Sequence, residues 1–331
     1  MIDPEAPVEN PADFVGQMNL ARRVFSRIGA ERPQSVAVIG GMKSGKTSLL
    51  GYLSNPEVAS QNLDAVSQYV FVLLCADGQM TDDPDSFLGS FAQGLPPGAR
   101  GSADGYQGIR RRIEDLHADG RRLVVLLDDF HYITRNDRFP LEFFSFLRSM
   151  ANNYNLAFVT TSLLELQKLC VAKEVQESPF FNIFTNMHIG MLSQRDAASL
   201  FMRITGTDQE MAARVAAWCG GSCYLLKKAG AWLEQQNDPD SARRADFEKA
   251  LFPAMAPYFE EVLSLLPPEA FKPLHAVMRE KVPSQSEQHH LSSLVKQGFL
   301  VEEGEALSCS SPAFALFLRK RLSARMMRGS C

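Results

Sequence analysis

The apolar residues in the first half of the chain fall into short runs that are separated by stretches with helical spacing. Four runs rich in Val, Leu, Ile and Phe lack strict alternation, as is typical of strands buried on both faces of a parallel sheet, and they cover 34–39, 68–74, 121–129 and 155–162. Apolar residues at three-and-four spacing predict helices over 85–93, 106–118 and 140–151. This alternation of strand and helix predicts an open α/β domain.

The pattern changes beyond about residue 190, where apolar residues keep helical spacing over 193–206, 207–221 and 223–236. These three segments predict a small helical domain. The last part of the chain predicts a helix, a glycine stop, a two-stranded ribbon around Glu303 and Gly304, and a final helix. That order is typical of a winged helix-turn-helix module.

Composition excludes several classes of protein. The 331 residues are enough for about two or three domains, and 45% hydrophobic with 22% charged residues excludes disordered and collagen-like chains. The apolar runs are too short to span a bilayer and the N-terminus lacks a signal layout, so a cytoplasmic protein is expected. Six scattered cysteines without a CxxC pair predict no zinc site. A net charge of −4 limits any nucleic-acid contact to a local patch.

Residues 40–47 read GGMKSGKT and match the phosphate-loop pattern G-x-x-x-x-G-K-[ST] between a predicted strand and a predicted helix. Glycines let main-chain N–H groups turn inward around a phosphate, and the helix adds the positive end of its dipole. We expect Lys46 to reach the β- and γ-phosphates and the Thr47 hydroxyl to hold Mg²⁺. The predicted nucleotide-binding residues here are Gly40, Gly41, Met42, Lys43, Ser44, Gly45, Lys46, Thr47 and Ser48.

A second acidic element follows in LVVLLDDF, where two carboxylates end a buried strand. We expect Asp128 to bind Mg²⁺ and Asp129 to orient or deprotonate the attacking water, although such a pair can also simply cap a turn. At the end of the next strand, Thr161 is a candidate sensor of the γ-phosphate. The predicted catalytic residues are Lys46, Asp129 and Thr161, and the predicted metal ligands are Thr47 and Asp128. His131 is expected to be structural.

The order of these pieces resembles the STAND and AAA+ branch of P-loop NTPases. FVGQ at 14–17 resembles the FVGR-type segment of that branch, which implies that Val15 and Gly16 lie against the adenine. The paired aspartates are similar to STAND proteins, whereas AAA+ members usually carry Asp-Glu. GGSCYLL at 220–226 resembles the GGxPYLL lid motif, with Cys223 at the proline position. No guanine-reading NKxD run is present, which favours ATP over GTP.

The resemblance implies a P-loop NTPase with a parallel sheet, followed by a helical lid and a winged-helix domain. The expected divisions are an N-terminal lead over 1–32, the NTPase domain over 33–190, the lid over 191–250 and the winged-helix domain over 251–331.

The absence of an arginine from one segment helps to distinguish a nucleotide-controlled switch from a ring motor. No arginine occurs between Ser149 and Gln194, where an AAA+ subunit presents a finger to its neighbour, and such a finger accelerates hydrolysis by several powers of ten. This favours a slow, nucleotide-controlled switch over a ring motor. Arg195 remains a late finger candidate, and Arg214 and Lys227 are candidate lid cations.

Three functions stay open at this point. The first is a Mg-ATP-binding STAND-like switch that meets a protein partner through the winged-helix module and forms a nucleotide-dependent homo-oligomer. The second is an AAA+-type DNA-associated loader, initiator or transposition regulator. The third is a low-turnover nucleotide-binding scaffold. Basic residues of the last helix favour the DNA-associated function; they are Arg319, Lys320, Arg321, Arg325 and Arg328. Acidic residues of the ribbon oppose it; they are Glu302, Glu303 and Glu305.

Overall fold

The computed structural model describes residues 2–97, 105–236, 247–304 and 306–328. The chain forms two compact units, and neither is continuous in sequence. The sheet unit comprises Pro7–Gly40 and Gly45–Ile189. The helical unit comprises Met1–Ala6, Gly41–Ser44 and Gly190–Cys331, so that the tip of the phosphate loop belongs to it.

The sheet unit is built on a five-stranded parallel sheet with the strand order β2-β3-β4-β1-β5. The strands are β1 Ser35–Ile39, β2 Tyr69–Cys75, β3 Arg122–Asp128, β4 Leu156–Ser162 and β5 Phe184–His188. The four predicted strands are confirmed. β5 was not predicted, because it is an edge strand in which only Met187 is buried and which therefore lacks an apolar run.

Helices cover both faces of this sheet. They are α1 Met18–Ile28, α2 Lys46–Ser54, α3 Pro56–Asn62, α4 Pro84–Gly94, α5 Gly105–Ala118, α6 His131–Thr134, α7 Leu141–Asn153 and α8 Lys173–Gln176, with 3₁₀ turns at Pro11–Asp13, Val66–Gln68, Gly78–Thr81, Leu166–Leu169 and Pro179–Ile183. The three predicted helices correspond to α4, α5 and α7. One core joins the sheet to α1–α3 and includes Val124, Leu126 and Val159. The other joins it to α4, α5 and α7 and includes Val125 and Phe158.

Strand pairing determines which side chains meet at the carboxyl edge of the sheet. β4 lies between β1 and β3, with Val38 paired to Thr161 and Leu127 paired to Thr160. Because successive side chains alternate across a strand, Thr161 and Asp128 face the same side as Val159 and Leu126, which is the side of α2. The pairing therefore brings the end of β3 and the end of β4 towards the helix that follows the phosphate loop.

The helical unit carries the remaining elements. They are α9 Gln194–Thr205, α10 Gln209–Cys219, α11 Cys223–Gln235, α12 Phe247–Ser264, α13 Phe271–Val277, α14 Gln285–Gln288, α15 Ser292–Lys296, β6 Leu300–Glu303, β7 Ala306–Cys309 and α16 Pro312–Arg328, with 3₁₀ turns at Pro268–Ala270 and His289–Leu291. β6 and β7 form the predicted antiparallel ribbon before the last helix. The identity of this region as a winged-helix module stays a prediction. In the described ranges, no helix is long and apolar enough to cross a membrane.

Candidate functional site

The helix after the phosphate loop begins at an uncapped, positively polarised end. Gly45 precedes α2 with φ +96°, in the left-handed region that glycine enters without strain, and no side chain caps the helix. The first-turn N–H groups of a helix lack intrahelical acceptors, and the helix dipole favours an anion at this end. The local sequence therefore provides a main-chain anion site at the start of α2.

Lys46 is the first residue of α2, and its side chain is buried. Its Nζ donates a hydrogen bond to the Gly40 carbonyl oxygen at 3.0 Å, and only 6% of the residue is exposed. Burial lowers the pKa of Lys46, while the nearby Asp129 and Asp128 carboxylates act in the opposite direction. The site thus combines one buried ammonium with two carboxylates.

Asp128, at the end of β3, is held by two hydroxyl donors. Thr47 Oγ1 donates to its Oδ2 at 2.7 Å, and Thr161 Oγ1 donates to its Oδ1 at 2.5 Å. Asp128 is 4% exposed. The structure therefore brings together both predicted metal ligands and the predicted sensor residue. Carboxylate and hydroxyl oxygens are the donors that Mg²⁺ prefers, so Thr47 and Asp128 fit this ion.

Asp129 leaves the strand with an unusual backbone conformation. Its φ of +49° lies in the left-handed region, which costs a non-glycine residue about 1–2 kcal/mol. Its N–H donates to Thr161 Oγ1 at 2.8 Å and to Asp128 Oδ1 at 3.2 Å, which fixes the turn. Burial, and then the Asp128 charge, raises the pKa of Asp129, and Lys46 offsets part of this effect. The side chain remains 37% exposed and accessible to water.

His131, the first residue of α6, lies against Asp129. The sequence predicted only a structural role for it. Its Nδ1 is 3.7 Å from Asp129 Oδ1, and its side chain is only 3% exposed. Burial, assisted by Lys46 and Arg135, lowers the pKa of His131 to about 4, so this contact is not an ion pair at neutral pH. The only sequence signal was its position two residues after Asp129.

The tip of the phosphate loop, Gly41–Ser44, packs within the helical unit. The Lys43 ammonium pairs with the Glu5 carboxylate and lies 4.5 Å from the centroid of the Tyr224 ring. Tyr258 Oη donates to the Met42 carbonyl oxygen at 3.2 Å. Glu5 also accepts a hydrogen bond from Tyr224 Oη at 2.8 Å. Glu5 had no motif to single it out in the sequence.

The segment predicted to lie against adenine is attached to α2. The Phe14 ring stacks on the Tyr52 ring with centroids 4.4 Å apart. Val15 and Gly16 follow, half-buried, and Gly16 has φ +80°. The Ser48 hydroxyl accepts a hydrogen bond from the Val8 N–H at 3.0 Å. An adenine contact by Val15 and Gly16 stays a prediction.

The candidate cations of the lid differ in their surroundings. Arg195 is exposed, Arg214 lies 3.7 Å from the Glu248 carboxylate, and Lys227 donates to the Ala6 carbonyl oxygen at 2.7 Å. Cys223 is the first residue of α11, a position where proline is well tolerated because its N–H has no helical acceptor. The cysteine is therefore compatible with the helix start that the lid motif predicts.

Two cations of the last helix contact α12. Arg321 pairs with Glu260, and Lys320 Nζ lies 4.2 Å from the centroid of the Phe252 ring. Glu302 of the ribbon is exposed. The structure does not describe the side chains of Glu303, Arg325 and Arg328, and Glu305 lies outside the described residues.

Comparison with known proteins agrees with this architecture. The chain is similar to a Walker-type ATPase of Pyrococcus abyssi, with a TM-score of 0.66 and 13% identity over 95% of this chain and 99% of that chain. It is also similar to the Aeropyrum pernix ORC2 protein in its ADPNP-ADP complexes, with a TM-score of 0.58 and 15% identity over 99% of this chain and 97% of that chain.

The Aeropyrum pernix ORC1 protein in complex with DNA has a TM-score of 0.50 and 15% identity, over 95% of this chain and 94% of that chain. These likenesses confirm the P-loop NTPase fold. A search of curated proteins returned no match. The sequence profile of the family described as Novel STAND NTPase 2 matches residues 30–225, which is more than half of the chain. The chain therefore belongs to the Novel STAND NTPase 2 family.

Proposed function

We propose that the protein is a Mg-ATP-binding STAND-like switch with slow ATPase activity. Its nucleotide state would control the conformation of residues 191–331 and, through it, binding of a protein partner or homo-oligomerisation. The observation that supports this most directly is the hydrogen-bonded set of Thr47, Asp128 and Thr161 at the start of α2. Its carboxylate and hydroxyl groups match the needs of a metal-bound triphosphate.

These three residues, Lys46 and Asp129 each have a distinct task in the proposed reaction. The Lys46 ammonium binds the β- and γ-phosphates, and Thr47 and Asp128 hold Mg²⁺, which supplies charge neutralisation on the phosphate oxygens. Asp129, partly exposed and with a raised pKa, orients the attacking water and accepts its proton. Thr161 holds Asp128 and the Asp129 N–H in fixed relation through its single hydroxyl.

The site is tested by measuring Mg-ATP and Mg-ADP binding to the full chain by calorimetry. Lys46→Ala should abolish binding, because it removes the phosphate cation. Thr47→Val keeps the side-chain volume but loses the metal-binding hydroxyl, and should weaken binding with Mg²⁺ more than binding in EDTA. Asp129→Asn should leave binding intact and lower phosphate release by about 100-fold or more. Tight Mg-ATP binding by Lys46→Ala would reject the proposed site.

The divisions into the NTPase domain over 33–190, the lid over 191–250 and the winged-helix domain over 251–331 form part of the proposal. Light scattering in ADP and in a non-hydrolysable ATP analogue tests the oligomerisation it includes. A nucleotide-dependent change in mass supports assembly, whereas a constant monomer mass supports a switch that acts on a different protein. Undetectable phosphate release from ATP, with and without candidate partners, favours the low-turnover scaffold.

A second candidate is an AAA+-type DNA-associated assembly factor. It is favoured by the fold likeness to ORC1, which was solved in complex with DNA, and by the cations of α16. The contacts of Lys320 and Arg321 with α12 and the exposed Glu302 weigh against it, because they reduce the basic surface. ATP-stimulated binding of duplex DNA that weakens steeply with salt would support this candidate. Binding that is absent at low salt would reject it.

A further inference from the structure

The buried imidazole of His131 has one nitrogen whose burial is not explained by a hydrogen bond. Nδ1 is inaccessible to solvent and has no hydrogen-bond partner among the residues that the structure describes. Buried polar nitrogens are normally hydrogen-bonded, and an exception needs an explanation. The Asp129 Oδ1 atom lies 3.7 Å from it, too far for a hydrogen bond.

Rotation of the Asp129 side chain is enough to make this hydrogen bond. The backbone of Asp129 is fixed by two hydrogen bonds from its N–H, and the His131 ring is confined by burial, with only 3% of its side chain exposed. The Asp129 side chain is the exposed and less constrained partner. Closing the gap to an ordinary donor–acceptor distance takes a movement of roughly 1 Å.

The surroundings keep the imidazole neutral. The Lys46 and Arg135 charges act on it together with burial, and the Asp128 charge opposes them less strongly. A neutral imidazole with its proton on Nδ1 donates one hydrogen bond without adding a positive charge. One carboxylate oxygen of Asp129 would accept this bond, and the second would stay available to a water molecule.

We propose that His131 is a positioning residue, whose Nδ1–H donates to Asp129 Oδ1 and so aims the other carboxylate oxygen at the attacking water. This inference rests on the proposed function, because it assigns Asp129 to that water. A purely structural histidine would need only its ring volume, since its Nδ1 bonds nothing in the described part of the chain. The two roles therefore predict different responses to substitution.

The deciding comparison is between His131→Asn and His131→Gln. The asparagine side-chain nitrogen can occupy the place of Nδ1, whereas the glutamine nitrogen reaches the place of Nε2. We expect His131→Asn to keep kcat within about threefold of the wild type. His131→Gln and the apolar His131→Leu should lower kcat by about 10- to 100-fold, the usual effect of losing an outer-shell hydrogen bond. KM and ADP affinity should stay unchanged in all three.

Two further measurements separate positioning from folding. Thr134→Val removes the hydroxyl that bonds the His131 carbonyl oxygen on the same helix, and it should leave kcat unchanged. In the Asp129→Asn background, His131→Leu should cause no further loss, because no carboxylate remains to be aimed. If His131→Leu does not fold, the comparison of His131→Asn with His131→Gln still distinguishes the positioning role from a purely structural role.

The outcomes distinguish this inference from the proposed function. Equal losses in His131→Asn and His131→Gln, or additive losses in the Asp129→Asn background, would overturn the positioning role. Unchanged kcat in His131→Gln, with Asp129→Asn strongly impaired, would overturn it while leaving the proposed function in place. Unchanged turnover in Asp129→Asn with retained Mg-ATP binding would overturn both.

Discussion

Thr160 and Thr161 are adjacent residues of β4 that should respond in opposite ways to the same substitution. Both are fully buried, and their side chains face opposite sides of the sheet. The Thr161 hydroxyl donates to Asp128 and accepts from the Asp129 N–H, whereas Thr160 Oγ1 has no hydrogen-bond partner in the described ranges. Threonine to valine removes only the hydroxyl and keeps a β-branched side chain that suits a strand.

The hydrogen bonds indicate the size of each effect. Thr161→Val removes a bond to a charged carboxylate, which is worth about 1.5–3 kcal/mol, while Asp128 keeps Thr47 as a donor. The Asp129 N–H also keeps Asp128 Oδ1 as an acceptor at 3.2 Å, so its own loss is small. Thr160→Val removes an unpaired buried hydroxyl and should be neutral or stabilising by about 1 kcal/mol. The two variants should differ by about 3 kcal/mol.

Urea unfolding without nucleotide provides the assay. Far-UV circular dichroism follows the secondary structure of both units, whereas tryptophan fluorescence follows the helical unit alone, because both tryptophans, Trp218 and Trp232, lie in it. The two signals are needed since a chain of two units need not unfold in one step. Thr161→Ser retains the hydroxyl and should recover most of the loss. Equal destabilisation by Thr160→Val and Thr161→Val would show that strand packing, and not the bonds of Asp128, determines stability here.

Three other changes have defined outcomes. Gly45→Ala should cost about 1–2 kcal/mol through its φ of +96°, seen as a lower melting temperature and weaker Mg-ATP binding; unchanged values would contradict the strain. Folding lowers the pKa of His131 to about 4, because the folded state favours the neutral ring. The contribution of the neutral ring to the free energy of unfolding is therefore present above pH 6.5 and is lost as the pH falls towards 4. The free energy of unfolding should therefore drop by about 3 kcal/mol more in the wild type than in His131→Leu across that range, and parallel pH profiles would refute this. Glu5→Gln should release Lys43 for phosphate and tighten Mg-ATP binding severalfold, with a stability change below about 1 kcal/mol because Glu5 is half exposed; weaker binding would count against the competition.

The sheet was predictable where strands are buried on both faces. β1, β3 and β4 have continuous runs of buried residues, and this burial is what makes their sequences uniformly apolar. β5 was not predicted because Asn186 and His188 are exposed at the edge of the sheet and interrupt any apolar run. The sequence predicts a helix before the glycine stop at Gly298, whereas the structure divides this segment into α14, a 3₁₀ turn and α15.

The chemistry of the site was predictable only as far as local motifs reach. The pattern around Lys46 and Thr47 depends on neighbouring residues, so it can be read directly from the sequence. The bond between Thr161 and Asp128 depends on β4 entering the sheet between β1 and β3, which is a long-range pairing. The contact between His131 and Asp129 depends on a left-handed turn that an aspartate sequence does not require.

The way the chain is divided between its two units constrains how it can be cut. The polypeptide passes from one unit to the other after Ala6, Gly40, Ser44 and Ile189, so no single cut separates them. A fragment ending at residue 189 would lose Tyr224 and Tyr258 and leave Lys43 and the Met42 carbonyl without those contacts. Nucleotide binding measured on such a fragment would therefore describe a different loop from that of the intact protein.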